Sequence, residues 1–296
     1  MFNQHPDGKT FSPYYKVEGQ KIVDELPPDF YFFRWKNLGM FGRVPEFKKV
    51  EDLPEIKEVK SEKFKAIEST ILNFFSEENI NLYKELKIRN CLAALLYGPP
   101  GTGKTCLAIS IAQKLLQRNN AVAVKLTTGN IDDISNIVAL ARGDNNDRLI
   151  IFLCDEFETF VTYNGQPYDN YKNKFIEVLD GYYTKDNTLF LMTTNFKDQI
   201  PDSLQKRPSR IKIIEEIKFI DVDVATDLVK SIIPEKYHEK IGVSELAYLI
   251  GENPIKIDQI KHVALDVLSG GSTVSTAVEK MVKMNEEEAT KKEESE

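Results

Sequence analysis

The sequence predicts an α/β fold: a five-stranded parallel sheet sandwiched between helices, followed by a small α-helical lid domain. Three observations lead there. Strand-like apolar runs alternate with helical patterns over residues 61–219. Those runs are apolar throughout rather than at every second position, as strands of a parallel sheet covered on both faces must be. Beyond about residue 220 the strand-like runs stop while helical spacing continues.

Residues 1–60 differ in character from the rest. Pro6, Pro13, Pro27, Pro28, Pro45 and Pro54 exclude long helices and imply extended, turn-rich structure. The cluster Phe30-Tyr-Phe-Phe-Arg-Trp35 is expected to pin this segment to the main body or to a partner. Over 61–80, Phe64, Ile67, Ile71, Phe74 and Phe75 recur on one helical face. The strands expected next are CLAALLY (91–97), AVAVKLT (121–127), LIIFLC (149–154), TLFLMTT (188–194) and IKIIEEIKF (211–219).

In the lid, residues 220–284, Asn253 and Pro254 read as the cap and first turn of a helix over 254–268. Its apolar face is Ile257, Ile260, Ala264 and Val267, and Gly270-Gly271 ends it. A last helix over 274–284 gives way to an acidic tail, 285–296, expected to be disordered.

Composition narrows the class. Hydrophobic residues make up 42% and charged residues 29% of the chain, the balance of a globular protein. No apolar stretch approaches the roughly 18 residues of a membrane span. The start, MFNQHPDGKTF, lacks the basic-then-apolar layout of a secretory leader. Cys91, Cys106 and Cys154 sit in or beside apolar segments and read as buried thiols of a reducing, cytoplasmic compartment. His5, His238 and His262 are scattered, which gives no metal cluster. The net charge is −7, and the last 12 residues, with six Glu and two Lys, carry more than half of it. A mildly acidic body argues against broad DNA affinity, which depends on neutralising many phosphates.

The chemistry is concentrated in four places. The octapeptide Gly98-Pro-Pro-Gly-Thr-Gly-Lys104-Thr105 fits the phosphate-loop pattern G-x-x-x-x-G-K-[ST]. Glycines let the backbone point successive N–H groups at phosphate oxygens, and the following helix turns its positive end to the same anion. Gly98, Pro99, Pro100, Gly101, Thr102, Gly103, Lys104, Thr105 and Cys106 are therefore the expected nucleotide-binding set. Lys104 is expected to bridge the β- and γ-phosphates of ATP, and Thr105 to offer its hydroxyl to Mg²⁺.

The run LIIFLCDEFE (149–158) ends a buried strand in Asp155-Glu156, at the carboxyl edge where open α/β sheets bind ligands. Asp155 is expected to hold Mg²⁺ through its water shell, and Glu156 to orient and deprotonate the attacking water. TLFLMTTN ends in Asn195, whose amide suits the γ-phosphate and the lytic water. In LQKRPSRI (204–211), Arg207 and Arg210 cannot easily reach the chain's own phosphate from the sheet's far flank. They suit the nucleotide of a neighbouring subunit, where a planar guanidinium meets transition-state charge.

Together GPPGTGKT, LIIFLCDEFE, the LDG at 179–181, TTN at 193–195 and RPSR at 207–210 resemble the AAA family of P-loop ATPases over about residues 61–284. The lead-in FFSEENINLYKELKIRNCLAALLYGPPGTGKT is similar to that of the mitochondrial Rieske-protein translocase and its relatives. The resemblance implies an αβα core, a helical lid and a ring, usually of six copies. It makes Lys104 and Thr105 the Walker A residues, Asp155 and Glu156 the Walker B pair, Asn195 sensor 1, and Arg207 and Arg210 trans-acting arginines.

The pattern also has departures. The central pore-loop region TTGNIDDISNIV (127–138) has no aromatic residue, and Ile131 is its bulky apolar candidate for the tip. The loop Tyr163-Asn-Gly-Gln-Pro-Tyr168 offers aromatics instead, and Lys256 is a weak stand-in for a lid arginine.

The expected function is thus Mg²⁺-dependent ATP hydrolysis by a homo-oligomeric ring that remodels or moves a protein partner. A DNA-directed loader is the alternative, with Lys57, Lys60, Lys63 and Lys65 as its basic groove. A nucleotide-gated assembly module with slow turnover is the other.

Overall fold

The computed structural model describes residues 2–13, 21–39, 42–53, 61–118, 120–145, 147–163, 166–167, 169–182, 186–207, 210–217, 222–253, 255–257 and 259–293. The chain divides into two compact units. One comprises Met1–Pro54, Glu68–Tyr97 and Leu107–Glu216, and the other Glu55–Ile67, Gly98–Cys106 and Ile217–Glu296.

The chain opens with five short strands, β1 (Phe2–Gln4), β2 (Thr10–Pro13), β3 (Lys21–Val23), β4 (Phe30–Asn37) and β5 (Arg43–Lys49). Helices α1 (Glu62–Phe74) and α2 (Glu77–Glu85) lead to β6 (Cys91–Tyr97), α3 (Lys104–Arg118), β7 (Ala121–Lys125), α4 (Ile134–Arg142) and β8 (Leu149–Cys154). A hairpin of β9 (Thr162–Tyr163) and β10 (Gln166–Pro167) precedes α5 (Asp169–Asp180), β11 (Thr188–Thr194), α6 (Asp202–Gln205) and β12 (Ile213–Glu216).

The five strands expected from the sequence are present and parallel, in the order β12-β6-β11-β8-β7. Among the described residues the sheet does not stop there. β4 pairs in parallel with β7, Phe30 opposite Ala123 and Phe32 opposite Lys125, and β5, β2, β1 and β3 continue from it to ten strands. The proline-rich segment is therefore extended, as expected, and its aromatics pin it to the main body. Tyr31, Phe33 and Phe47 join Phe2 and Phe11 in the same core as Val122 and Phe152. The physical reason lies in β7, whose Ala121–Val124 are fully buried and whose open edge needs covering.

Both faces of the parallel strands are apolar. One packs on Ile134, Ile137 and Val138 of α4 and Phe175 and Val178 of α5, with Phe152, Phe175 and Phe190 in mutual ring contact. The alternate residues Leu92, Ala94, Leu96, Ile151 and Leu191 are equally buried, as are Leu107, Ile111 and Leu115 of α3. This is the sandwich the continuous apolar runs predict.

The second unit carries helices α7 (Val222–Ile232), α8 (His238–Ile241), α9 (Val243–Glu252), α10 (Gln259–Leu268) and α11 (Val274–Glu293) around Leu228, Leu246, Ile260, Val263 and Val278. Two expectations are corrected here. The helix expected over 254–268 begins at Gln259, because Asn253 closes α9 instead: its Nδ2 donates to Leu249 O at 2.8 Å. Gln259 accepts the Lys256 N–H at 3.0 Å and so starts the next helix itself, while Pro254 lies outside the described residues. The last helix runs on to Glu293, through most of the stretch expected to be disordered. Its residues, mostly Glu, Ala and Lys, are strong helix formers that add no hydrophobicity, so composition alone reads as disorder. Among the described residues no helix is long and apolar enough to cross a membrane.

Candidate active site

The phosphate loop begins with the residue after Tyr97, the last of β6, and runs into α3 at Lys104. Glycine is required at both its ends. Gly98 has φ +143°, and a Cβ there would meet Ile217 O at 2.1 Å. Gly103 has φ +92°, with Ile257 Cδ1 3.0 Å from the position of a Cβ. Such left-handed backbone costs an L side chain about 1–2 kcal/mol even without the clash. Lys104 is buried, and its ammonium donates to Gly98 O at 2.9 Å and Pro99 O at 2.7 Å. Thr102 donates to Pro99 O at 2.9 Å, which tightens the same turn. The segment ahead of α10 is tied to this loop, since Ile257 N–H donates to Gly101 O at 2.8 Å. Lys256, the expected lid residue, is thus one position from a direct contact with the loop.

The acids stand on the sheet. Register aligns the strand ends, with Thr194 opposite Tyr97 and Met192 opposite Cys154. Asp155 therefore follows β8, and Asn195 follows β11, at one carboxyl edge. The Thr193 hydroxyl donates to Asp155 Oδ1. One residue on, Thr194 Oγ1 donates to Glu158 Oε2 at 2.6 Å and accepts the Phe196 N–H at 3.0 Å. Glu158 is buried, whereas Glu156 is exposed. Glu156 takes the left-handed conformation, φ 52° and ψ 54°, uncommon for a residue with a side chain. Its carbonyl is anchored by the N–H of Thr159 at 2.9 Å and the Thr159 hydroxyl at 2.8 Å. The strained turn leaves Glu156 exposed at the carboxyl edge of the sheet. Burial pushes the neighbouring Cys154 thiol well up and the Cys91 thiol up, so both remain protonated and unreactive.

Thr193, Thr194 and Glu158 carry weight that motif reading did not assign. The signal was present, as two hydroxyls preceding Asn195 on a strand beside the acids.

Arg207 and Arg210 lie elsewhere. Lys212 N–H donates to Ala93 O at 3.1 Å, so the arginines stand level with the start of β6 rather than its end. Arg207 is exposed, but Arg210 is not the free side chain a donated arginine should be. It is 7% exposed, with Nε and Nη2 each 2.8 Å from the Asp180 carboxylate and Nη1 2.6 Å from Ser203 O. Hydrogen bonding and charge from Arg210 hold the Asp180 carboxyl below its usual range.

The pore-loop expectation also changes in detail. Ile131 is buried at 4% exposure inside a short 3₁₀ helix, Thr128–Asp133, because that turn packs it onto the core rather than out to a tip. The turn is held from outside by Trp35 Nε1 donating to Asp133 at 2.9 Å and by Lys174 paired with Asp132 at 2.5 Å. Asn164, Gly165 and Tyr168 of the next loop lie outside the described residues, as do Lys57 and Lys60.

A family model, the ATPase family associated with various cellular activities (AAA), matches residues 94–219. That range runs from within β6 through β12 and holds the phosphate loop, the acid pair, Asn195 and both arginines. Residues 94–219 match an AAA ATPase domain. The chain is similar to the vesicle-fusing ATPase of Dictyostelium discoideum, 30% identical over 158 residues, 47% of this chain and 21% of the relative. Vesicular-fusion protein SEC18 of Saccharomyces cerevisiae is 30% identical over 162 residues, 48% of this chain and 21% of that protein. The Lon protease of Clostridioides difficile is 29% identical over 191 residues, 55% of this chain and 22% of the protease. The chain thus spans about a fifth of the length of the curated relatives it matches.

Proposed function

We propose that this AAA ATPase works in a homo-oligomeric ring, hydrolyses ATP with Mg²⁺ at sites shared between subunits, and remodels or moves a protein partner, in the cytoplasm. The observation that carries the reading is where the arginines stand on the sheet. Lys212 N–H donates to Ala93 O at 3.1 Å, which puts them level with the start of β6, whereas Asp155 and Asn195 follow the ends of β8 and β11. An exposed Arg207 placed there suits a second subunit's nucleotide. The vesicle-fusing and vesicular-fusion relatives support a protein partner. Lys65 is paired with Glu62 at 2.8 Å, which favours a solvated face over a DNA groove.

Each residue's part follows from its chemistry. The loop's N–H groups and Lys104 bind and neutralise the phosphates. The Thr105 hydroxyl and Asp155 carboxylate are hard oxygen donors of the kind magnesium takes, with the Thr193 hydroxyl fixing the carboxylate. Bound magnesium supplies neutralisation of the developing phosphate charge. Glu156 orients the water and takes its proton, and Asn195 steadies that water against the γ-phosphate. Because 127–138 has no aromatic residue and buries Ile131, the partner is moved without an aromatic grip in that stretch.

The test is the ATPase rate against protein concentration, for wild type and Arg207→Ala, with the mass measured in ATP. A steep dependence, lost in the variant, and a ring-sized mass are expected. A rate per subunit indifferent to concentration and to Arg207 would end the shared-site reading.

A further inference from the structure

We infer that Asp180 and Arg210 form a fixed clamp whose work is to position Arg207, and that Arg207 is the arginine that reaches the neighbouring nucleotide. The inference rests on the ring-ATPase reading above and divides between two residues a role that motif reading gives to both.

All three nitrogens of the Arg210 guanidinium are already engaged, two on Asp180 and one on Ser203 O. A bidentate guanidinium–carboxylate pair is the strong, geometrically fixed form of this contact. For Arg210 to bind a phosphate it would have to leave both acceptors and a site in which it is 7% exposed. That would strand the carboxylate. Asp180 is itself held in place. It ends α5, and Arg89 Nη1 donates to Leu179 O at 3.0 Å beside it. At Gly181, φ +98°, an added Cβ would lie 2.2 Å from Arg89 Nη1, so the chain passes directly against that guanidinium. The LDG of 179–181 thus acquires a reason: Asp180 to clamp, glycine to let Arg89 brace the clamp from behind.

Arg207 is linked to this anchor through the backbone. The Arg210 N–H donates to Arg207 O at 2.9 Å, which ties the exposed Arg207 directly to the clamped residue. Arg207 also acts on the Asp180 carboxylate through space, after Arg210's own hydrogen bond and charge. Position is the property at stake, since an arginine finger contributes only when its guanidinium meets the transition state.

The experiment compares Arg207→Ala, Arg210→Ala, Asp180→Ala and the double variant Arg207→Ala/Asp180→Ala, by kcat, KM for ATP and thermal midpoint. Arg207→Ala should lose about 1,000-fold in kcat, the lower end for an arginine finger, with its midpoint unchanged. Arg210→Ala and Asp180→Ala should each lose about 100-fold in kcat, as expected of misplacement, with KM unchanged and a lowered midpoint. The double variant should be no slower than Arg207→Ala alone. Should Asp180→Ala fail to fold, Asp180→Asn keeps the shape and halves the acceptors.

If instead Asp180→Ala or Asp180→Asn retains or raises turnover, Arg210 is a finger held back by a latch, and the clamp is wrong. A double variant slower by the product of the two losses would also overturn it. Mixing separates this from failure of the ring reading. Lys104→Ala subunits, which keep the arginine turn, should restore turnover to Arg207→Ala subunits. Restoration together with a fully active Asp180→Ala sinks the clamp alone, while no restoration sinks the shared site on which it rests.

Discussion

At the edge where β8 and β11 end, Asp155 and Asn195 are half-buried and Glu156 is exposed; the Thr193 hydroxyl donates to the Asp155 carboxylate and the Thr159 hydroxyl to Glu156 O. At the edge where the same strands begin, Arg142 and Arg148 are 2% and 1% exposed. They are spent on backbone carbonyls. Arg142 reaches Arg148 O and Asn187 O, both at 3.0 Å, with Asp186 O beside them, and Arg148 reaches Ala141 O at 3.0 Å and Leu26 O. Burial lowers both guanidinium pKa values, yet arginine stays charged, so the carbonyls must carry its solvation. One edge keeps its polar groups available for chemistry, and the other consumes them in joining loops to strands. The clamp of Arg210 on Asp180 belongs to the second kind, with Arg207 left over for the first.

This contrast can be broken most forcefully at the phosphate loop. Lys104→Ala should weaken ATP binding by at least about 10- to 100-fold, given 1.5–3 kcal/mol per hydrogen bond to a charged group, and turnover should fall with it. Equilibrium binding of a fluorescent ATP analogue would check this. At the consuming edge, Arg148→Met should cost about 1–3 kcal/mol for each of its two abandoned carbonyls, Ala141 O and Leu26 O. Its kcat per folded molecule should stay within about twofold, since the residue touches no reacting group. Unfolding curves and active-site titration together decide that point.

Thr193→Val, which removes the hydroxyl on Asp155 while keeping the shape, should weaken nucleotide-dependent Mn²⁺ binding by about 10-fold, and Thr193→Ser should restore it. An unchanged metal affinity would mean that the hydroxyl only fills space.

The smallest effect is a pH effect. The Asp180 carboxyl is depressed below its ordinary 3.8 by the hydrogen bond and charge of Arg210, so its stabilisation is complete above that pH and fades as pH falls through the lower folded value. The midpoint difference between wild type and Asp180→Asn should therefore be flat from neutral pH downward and close only below about pH 4. A difference that shrinks already near pH 6 would point to another group.

The placement of the phosphate-loop residues after β6, of Asp155 and Glu156 after β8 and of Asn195 after β11 was legible in the sequence, because each depends on local spacing: a loop after a buried strand, or a polar residue where an apolar run stops. The five parallel strands were legible for the same reason. The N-terminal strands as members of that sheet were not. β4 pairs with β7 across more than ninety residues, and nothing in Phe30–Phe32 names Ala123–Lys125 as the partner. Asn253-Pro254 shows how a correct rule fails, since an Asn that could open one helix closes the previous one by bonding Leu249 O. The burial of Arg210 was illegible because its partner, Asp180, is thirty residues away and reads as a plain helix end. Ile131 turned inward because its 3₁₀ turn sets a periodicity that the sequence does not announce.

The central claim is that the exposed acid on the strained turn performs the chemistry. It is tested most directly by extracting the nucleotide bound to Glu156→Gln after incubation with Mg²⁺ and ATP for many wild-type turnovers. The account predicts intact ATP, near one per competent site, with no phosphate release. ADP on the protein, with phosphate released at the wild-type rate, would contradict it.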